Sequence, residues 1–93
     1  MNNAFIINER DDVVIVTEQV AEGSQVVYRV GEEEVSVLAL NNIPKYHKVA
    51  VREVKKGAPV IKYGEVIGYA LCDIHVGEHV HVQNVDDFPE EVK

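Results

Sequence analysis

The 93-residue chain predicts an all-β domain of short strands with little helix, and three features carry that expectation. Val and Ile dominate its apolar positions, and these are the residue types that suit a pleated, half-buried surface. Turn-forming residues interrupt the apolar runs about every eight to twelve positions, the rhythm of short strands joined by tight connections. One pattern, apolar-x-x-Gly-x-x-Val, occurs at Val20 to Val26, Val54 to Val60 and Ile74 to Val80. Each copy reads as a strand end, a glycine at positive φ, and a new strand entering the core through its valine. Their unequal spacing excludes a solenoid and suggests a compact, folded-over sheet.

Taken in order, Val13 to Thr17 is a continuous β-branched run and reads as a buried strand. Alternation puts Val26, Tyr28 and Val30 on one face of the next strand. Gly31 to Glu34 reads as an exposed turn, and Glu34 to Leu40 as a strand with Val35 and Val37 on one side and Leu38 and Leu40 on the other. Asn41-Asn42-Ile43-Pro44 breaks it, because proline cannot donate to a ladder and restricts the residue before it. Lys48 to Val54 is again extended, with Val49 and Val51 facing one way and Ala50 and Arg52 the other. Val60 to Lys62 and Val66 to Leu71 flank a turn at Tyr63-Gly64-Glu65. Helix is expected to reach at most one turn, at Thr17 to Glu22 or Val54 to Gly57. The acidic, proline-broken tail, 86–93, is expected to be flexible or to lie on a partner.

Composition narrows the function classes. Hydrophobic residues at 46% and charged residues at 27% describe a globular chain rather than a disordered one. Residues 1–93 form one domain, too small to bury a deep active site beside its own core, so any chemistry is expected to be shared with a partner. A net charge of −7 without a basic cluster beyond Lys55-Lys56 argues against nucleic-acid binding and against an anionic-membrane anchor. No apolar run approaches a membrane span, and no basic n-region opens the chain. The lone cysteine, Cys72, rules out an intrachain disulfide and fits a reducing, cytoplasmic setting. Its apolar neighbours predict buried packing.

The histidines are the candidates for chemistry. Of four, His75, His79 and His81 fall within Ile74 to Asn84. A strand from Glu78 to Gln83 would put His79, His81 and Gln83 on one face, roughly 6.5–7 Å apart. Imidazoles so placed can meet one metal or one small anion; the competing reading is a solvated polar face opposite a valine face. A closed zinc site is not expected, since no CxxC or HxxxH pair completes one. His47 follows the proline turn, between Lys45 and Lys48, in the most cationic spot of an acidic chain. Such a spot suits a carboxylate substrate beside a proton-transferring imidazole; the alternative is a lysine guard on an edge strand. No nucleophile motif or phosphate loop occurs.

One resemblance covers about half the chain at motif level. The elements Ile43-Pro44-x-x-His47-Lys48-Val49-Ala50, Gly57-x-Pro59-Val60-Ile61-Lys62-Tyr63-Gly64, Ile67-Gly68 and Asp73-Ile74-x-x-Gly77-Glu78-His79-Val80-His81-x-x-Asn84 resemble the SAF-type (β-clip) domain of the altronate/galactarate dehydratase family. The resemblance implies a small subunit of a sugar-acid dehydratase, working with a large catalytic subunit. That partner would mainly hold a divalent metal, iron in this family. The implied reaction is β-elimination of water from a 2,3-dihydroxy acid to give a 2-keto-3-deoxy acid. His47, His79 and His81 become the expected catalytic residues, with Lys48, Arg52 and Asn84 on the substrate. His79 and His81 are the best candidates for metal contact. The small subunit of sulfolactate sulfo-lyase shares the same architecture and motifs. A non-catalytic carbohydrate-binding or assembly module is the third reading, and the isolated chain is a candidate homo-oligomer. Two positions depart from the family pattern: Tyr46 stands where a glycine is frequent, and Gln83 where a further histidine is.

Overall fold

The computed structural model describes residues 2–87, so most of the acidic tail lies outside the described residues. Nine strands and no helix occur among them: β1 (Ala4–Phe5), β2 (Val13–Val16), β3 (Gln25–Val30), β4 (Glu33–Leu38), β5 (Lys48–Ala50), β6 (Pro59–Lys62), β7 (Glu65–Ala70), β8 (His79–Val80) and β9 (Val85–Asp86). They form three antiparallel sheets, ordered β1-β2-β5-β8, β3-β4 and β6-β7-β9. The all-β expectation therefore holds. No helix among the described residues is long and apolar enough to cross a membrane.

The four-stranded sheet separates two cores. Alternation sends Val14, Val16 and Val49 into one, where they meet Val26, Tyr28 and Ile43. It sends Val13, Ala50 and Val80 into the other, against Val60, Ala70 and Ile74. Adjacent Val49 and Ala50 are both fully buried because β5 has a core on each face, as does β2. This explains why Val13 to Val16 is an unbroken β-branched run rather than an alternating one.

The repeated turn organises the rest, and it occurs four times rather than three. Gly23, Gly57 and Gly77 have φ of 88°, 85° and 96°. Each donates its N–H to an alanine carbonyl (Ala39, Ala70 and Ala50), whose own N–H donates to the carbonyl of the residue after the glycine. The fourth copy is Ile43 to Val49, with Tyr46 at φ 67° in the glycine position. Tyr46 N–H donates to Val16 O, and Val16 N–H returns to His47 O. The copies pair, Val20 bridging Ile43 and Val54 bridging Ile74. In each pair a side chain just before one copy caps an amide of its mate: Asn42 Oδ1 accepts from Glu22 N, and Asp73 Oδ1 from Lys56 N. Glu53 Oε2 does the same for Val76 N. The chain is thus a duplicated unit in which β5 ends the first half and begins the second. The helical turns expected at 17–22 and 54–57 are instead these tight turns, because their amides are taken by neighbouring strands.

Two further features set the site's surroundings. The buried Asp11 carboxylate accepts from the N–H groups of Asn8, Tyr63 and Gly64, pinning the tip of the β6–β7 hairpin to the β1–β2 loop. Between Val60 and Ile61 the β6–β7 register slips, leaving Ile67 as an extra residue in β7, a bulge of the kind that re-aims side chains. Cys72 is exposed, contrary to expectation. The bend after β7 carries it clear of the core despite its apolar neighbours.

Candidate functional site

The site forms where two copies of the turn meet across the central sheet. The copy at Ile43 to Val49 leads into β5 and carries His47; the copy at Ile74 to Val80 leads into β8 and carries His79. β5 and β8 pair antiparallel, with Val49 opposite His79 and Lys48 opposite Val80. His47 and His79 therefore approach on the same side, and His47 Nδ1 lies 2.8 Å from His79 Nε2. His81 closes the group, its ring centroid 4.7 Å from that of His47 and 5.7 Å from that of His79.

The expected strand from Glu78 to Gln83 stops at Val80. Asn84 is the cause. Its buried amide accepts from His81 N–H at 3.0 Å and donates to His79 O at 2.8 Å, turning the chain back after two strand residues. The turn still delivers His81 to His47, and it folds Gln83 onto His79. Gln83 Nε2 lies 3.1 Å from His79 O and 3.4 Å from His79 Nδ1. From the other side Asn41 Oδ1 accepts from His79 N–H at 3.0 Å. His79 is thus held through both backbone groups and both ring nitrogens.

This arrangement orders the protons. A hydrogen bond between two imidazole nitrogens needs one donor and one acceptor. Gln83 Nε2 can only donate, which makes His79 Nδ1 an acceptor and places the His79 proton on Nε2, aimed at His47 Nδ1. The His79 pKa is lowered, first by burial and then by His47, His81 and Lys48, so the neutral form this network needs is the favoured one. Among the described residues His47 Nε2 makes no hydrogen bond, so one ring nitrogen of the cluster is left open.

The same hydrogen bond occupies one nitrogen of His47 and one of His79 that a metal would otherwise use. Zinc-type ligation needs ring nitrogens converging on a point roughly 2.0–2.1 Å from each, whereas these two point at one another. Among the described residues no group of three or more His, Cys, Asp or Glu is arranged to hold a metal ion.

The remaining candidates separate. Lys48 is half-buried and lines a cleft of about 270 Å³ together with Lys62, Val80 and His81. Arg52 is used elsewhere, donating to the carbonyls of Glu9 and Arg10 at 2.7 and 3.2 Å. Asn84, 5% exposed, has its amide bonded to the backbone of His79 and His81 and so positions the histidines. His75 is apart from the cluster, paired with Glu53 at 2.7 Å. Lys62 was not among the sequence candidates. Its signal was available, since it follows the buried Val60 by two and so occupies a core-facing position at a strand end.

Known proteins carry the same domain. Residues 2–87 match the family model described as the altronate/galactarate dehydratase SAF domain. Altronate dehydratase of Escherichia coli strain K12 is 40% identical over 78 residues, which is 84% of this chain and 15% of that protein. Altronate dehydratase of Bacillus subtilis strain 168 is 32% identical over 90% of this chain and 16% of its own length. This chain thus spans under a fifth of the dehydratases. It spans 95% of the (2R)-sulfolactate sulfo-lyase subunit alpha of Chromohalobacter salexigens, at 35% identity.

Proposed function

Since the chain belongs to the SAF-domain family of the altronate/galactarate dehydratases, we propose that it is the small subunit of a sugar-acid dehydratase, lending histidines to an active site completed by a larger catalytic chain. The observation that carries this reading is the 2.8 Å bond between His47 and His79, with His81 beside it. A domain that only buttressed a partner would have no need of three clustered imidazoles with one ring nitrogen left open.

In the proposed reaction a base removes the proton from C2 of the acid, and the electron pair left on C2 forms the C2–C3 double bond as hydroxide departs from C3, giving the enol. The enol then tautomerises to the 2-keto-3-deoxy acid. Hydroxide leaves only with a proton, and imidazolium supplies one near neutral pH. His47 is assigned to the departing hydroxyl, its Nε2–H donating a hydrogen bond while Nδ1 accepts from His79 Nε2–H, and His81 in its imidazolium form is assigned the transfer of the proton itself. Gln83 keeps His79 in the required tautomer, and Asn84 holds the backbone of His79 and His81. Lys48 meets the substrate carboxylate. The divalent metal of this reading, iron, is assigned to the larger partner, because the three rings here engage one another. A second reading, elimination of sulfite from sulfolactate, is favoured by the nearly end-to-end match to the sulfo-lyase subunit alpha. It uses the same histidines and changes only the leaving group.

The deciding experiment is affinity capture of the tagged chain from its native host, followed by turnover of altronate, galactarate and sulfolactate with ferrous iron. A co-purifying large chain and one converted acid support the proposal and name the substrate. A captured partner with full turnover after His47→Ala and His79→Ala points to the assembly-module reading.

A further inference from the structure

We propose that the cleft between β5, β6 and the segment after β8 is an anion subsite, in which Lys48 and Lys62 together hold a charged end of a small hydroxy acid and present its body to His81. This deepens the functional reading above and rests on it for the identity of the acid.

Several observations support it. Lys48 lies on β5, the strand shared by the two halves of the duplicated chain, and Lys62 lies on β6, yet both line one cleft of about 270 Å³. That volume lies just below the roughly 300–1,000 Å³ of drug-sized sites, so it suits a small metabolite. Its far wall is apolar, formed by Ile67, Val80 and Val85, and Ile67 is the bulge residue that the register slip turns out of the ladder. The only carboxylate among the described lining residues is that of Asp87, at an exposed position. Lys62 Nζ has a phenol oxygen partner, Tyr63 at 3.0 Å. Two ammonium groups in one half-buried cleft repel, and the Lys48 pKa is lowered by burial and then by Lys62. An anion between them relieves both effects. His81 borders this cleft and the histidine cluster alike, so an acid anchored here by one end extends toward His47.

The ligand class is an organic acid whose terminal carboxylate or sulfonate reaches the lysines, while its hydroxylated carbons lie beside His81. The two terminal groups offer the same anionic oxygens, and the experiment separates them.

The test is an NMR titration of the full chain with altronate, with (2R)-sulfolactate and with inorganic sulfate, on the wild type and on Lys62→Gln and Lys55→Gln. The expected result is shifts confined to the amides of Ile67, Val80 and Val85, with affinity for at least one acid lowered about tenfold by Lys62→Gln and unchanged by Lys55→Gln. The stronger of the two acids identifies the terminal group. Equal weakening by both substitutions, or shifts spread over all the lysines, overturns the subsite in favour of general charge attraction. Sulfate binding that matches both acids and ignores Lys62→Gln overturns it too. In the captured complex, Lys62→Gln is expected to raise KM with kcat held. Turnover with KM unchanged removes the subsite and leaves the functional reading standing. Cleft binding by acids that the complex never converts removes the functional reading and leaves the subsite.

Discussion

The turn from Ile43 to Val49 and the turn from Ile74 to Val80 share one hydrogen-bond pattern, and together they deliver the bonded pair His47 and His79. They differ at the residue that takes positive φ. Gly77 is buried, and a Cβ there would run into the Leu38 carbonyl and sit 3.0 Å from Leu40 Cγ. Tyr46 is 65% exposed, and nothing in the backbone pattern asks for its side chain. A left-handed L-residue costs roughly 1–2 kcal/mol, a cost that Gly23, Gly57 and Gly77 avoid. The His79 turn is therefore fixed by packing, while the His47 turn carries strain beside the open ring nitrogen of the proposed relay, where strained backbone tends to have functional meaning.

The largest expected effect is that of Gly77→Ala, which combines strained φ with a backbone collision. It should lower stability in urea unfolding by more than about 3 kcal/mol. Gly23→Ala and Gly57→Ala meet nothing within 4 Å and should lose only about 1–2 kcal/mol, the φ cost alone. Equal losses at all three would erase the distinction between a packed turn and an open one.

Next in size is catalysis. In the captured complex His47→Ala and His79→Ala should each reduce kcat by roughly 10²–10⁴-fold, and the double substitution should be little worse than either. Multiplying losses would mean that the rings act separately despite their bond. Smaller is Tyr46→Gly, expected to raise stability by about 1 kcal/mol by removing the strain. A loss instead would show the tyrosine ring making a contact worth more than its backbone costs.

The smallest effect lies in the pH dependence of the two histidines of the second half. The His79 pKa is below its ordinary value of 6.5. The unfolded chain then takes that proton more readily, and stability from His79 falls as pH drops through 6.5. The His75 pKa is raised, chiefly by its hydrogen bond to Glu53. Its contribution is complete below 6.5 and is lost as pH rises through its higher folded value. An NMR titration should place His79 below His75. The reverse order would remove the neutral His79 on which the proton relay depends.

The strands were legible because β-branched runs and glycine turns are local signals. The two cores were half visible, in the unbroken run Val13 to Val16 and in the alternation of Val49 and Ala50. The fourth turn was hidden by Tyr46, since the pattern was sought through its glycine. Pairing of His79 with His81 followed from alternation, although Asn84 cuts that strand short and the turn does the work instead. That His47 joins them is a matter of strand register across 32 residues, which periodicity cannot reach; only the family resemblance grouped it with the others. Cys72 was misplaced because apolar neighbours do not reveal a bend, and the carbonyl partners of Arg52 were out of reach of local pattern because they lie 42 and 43 residues away.

The strand shared by the two halves has a mechanical consequence. β5 holds Val49 in one core and Ala50 in the other, and a slip of one residue would swap Lys48 into a core position. His47 and Lys48 cannot swing out together without loosening both cores at once. Amide protection at Val49 and Ala50 should accordingly match that of global unfolding. The histidine cluster is mounted beside the strand that both cores hold, and in the proposed complex the opening and closing around a substrate falls to the chain that docks against it.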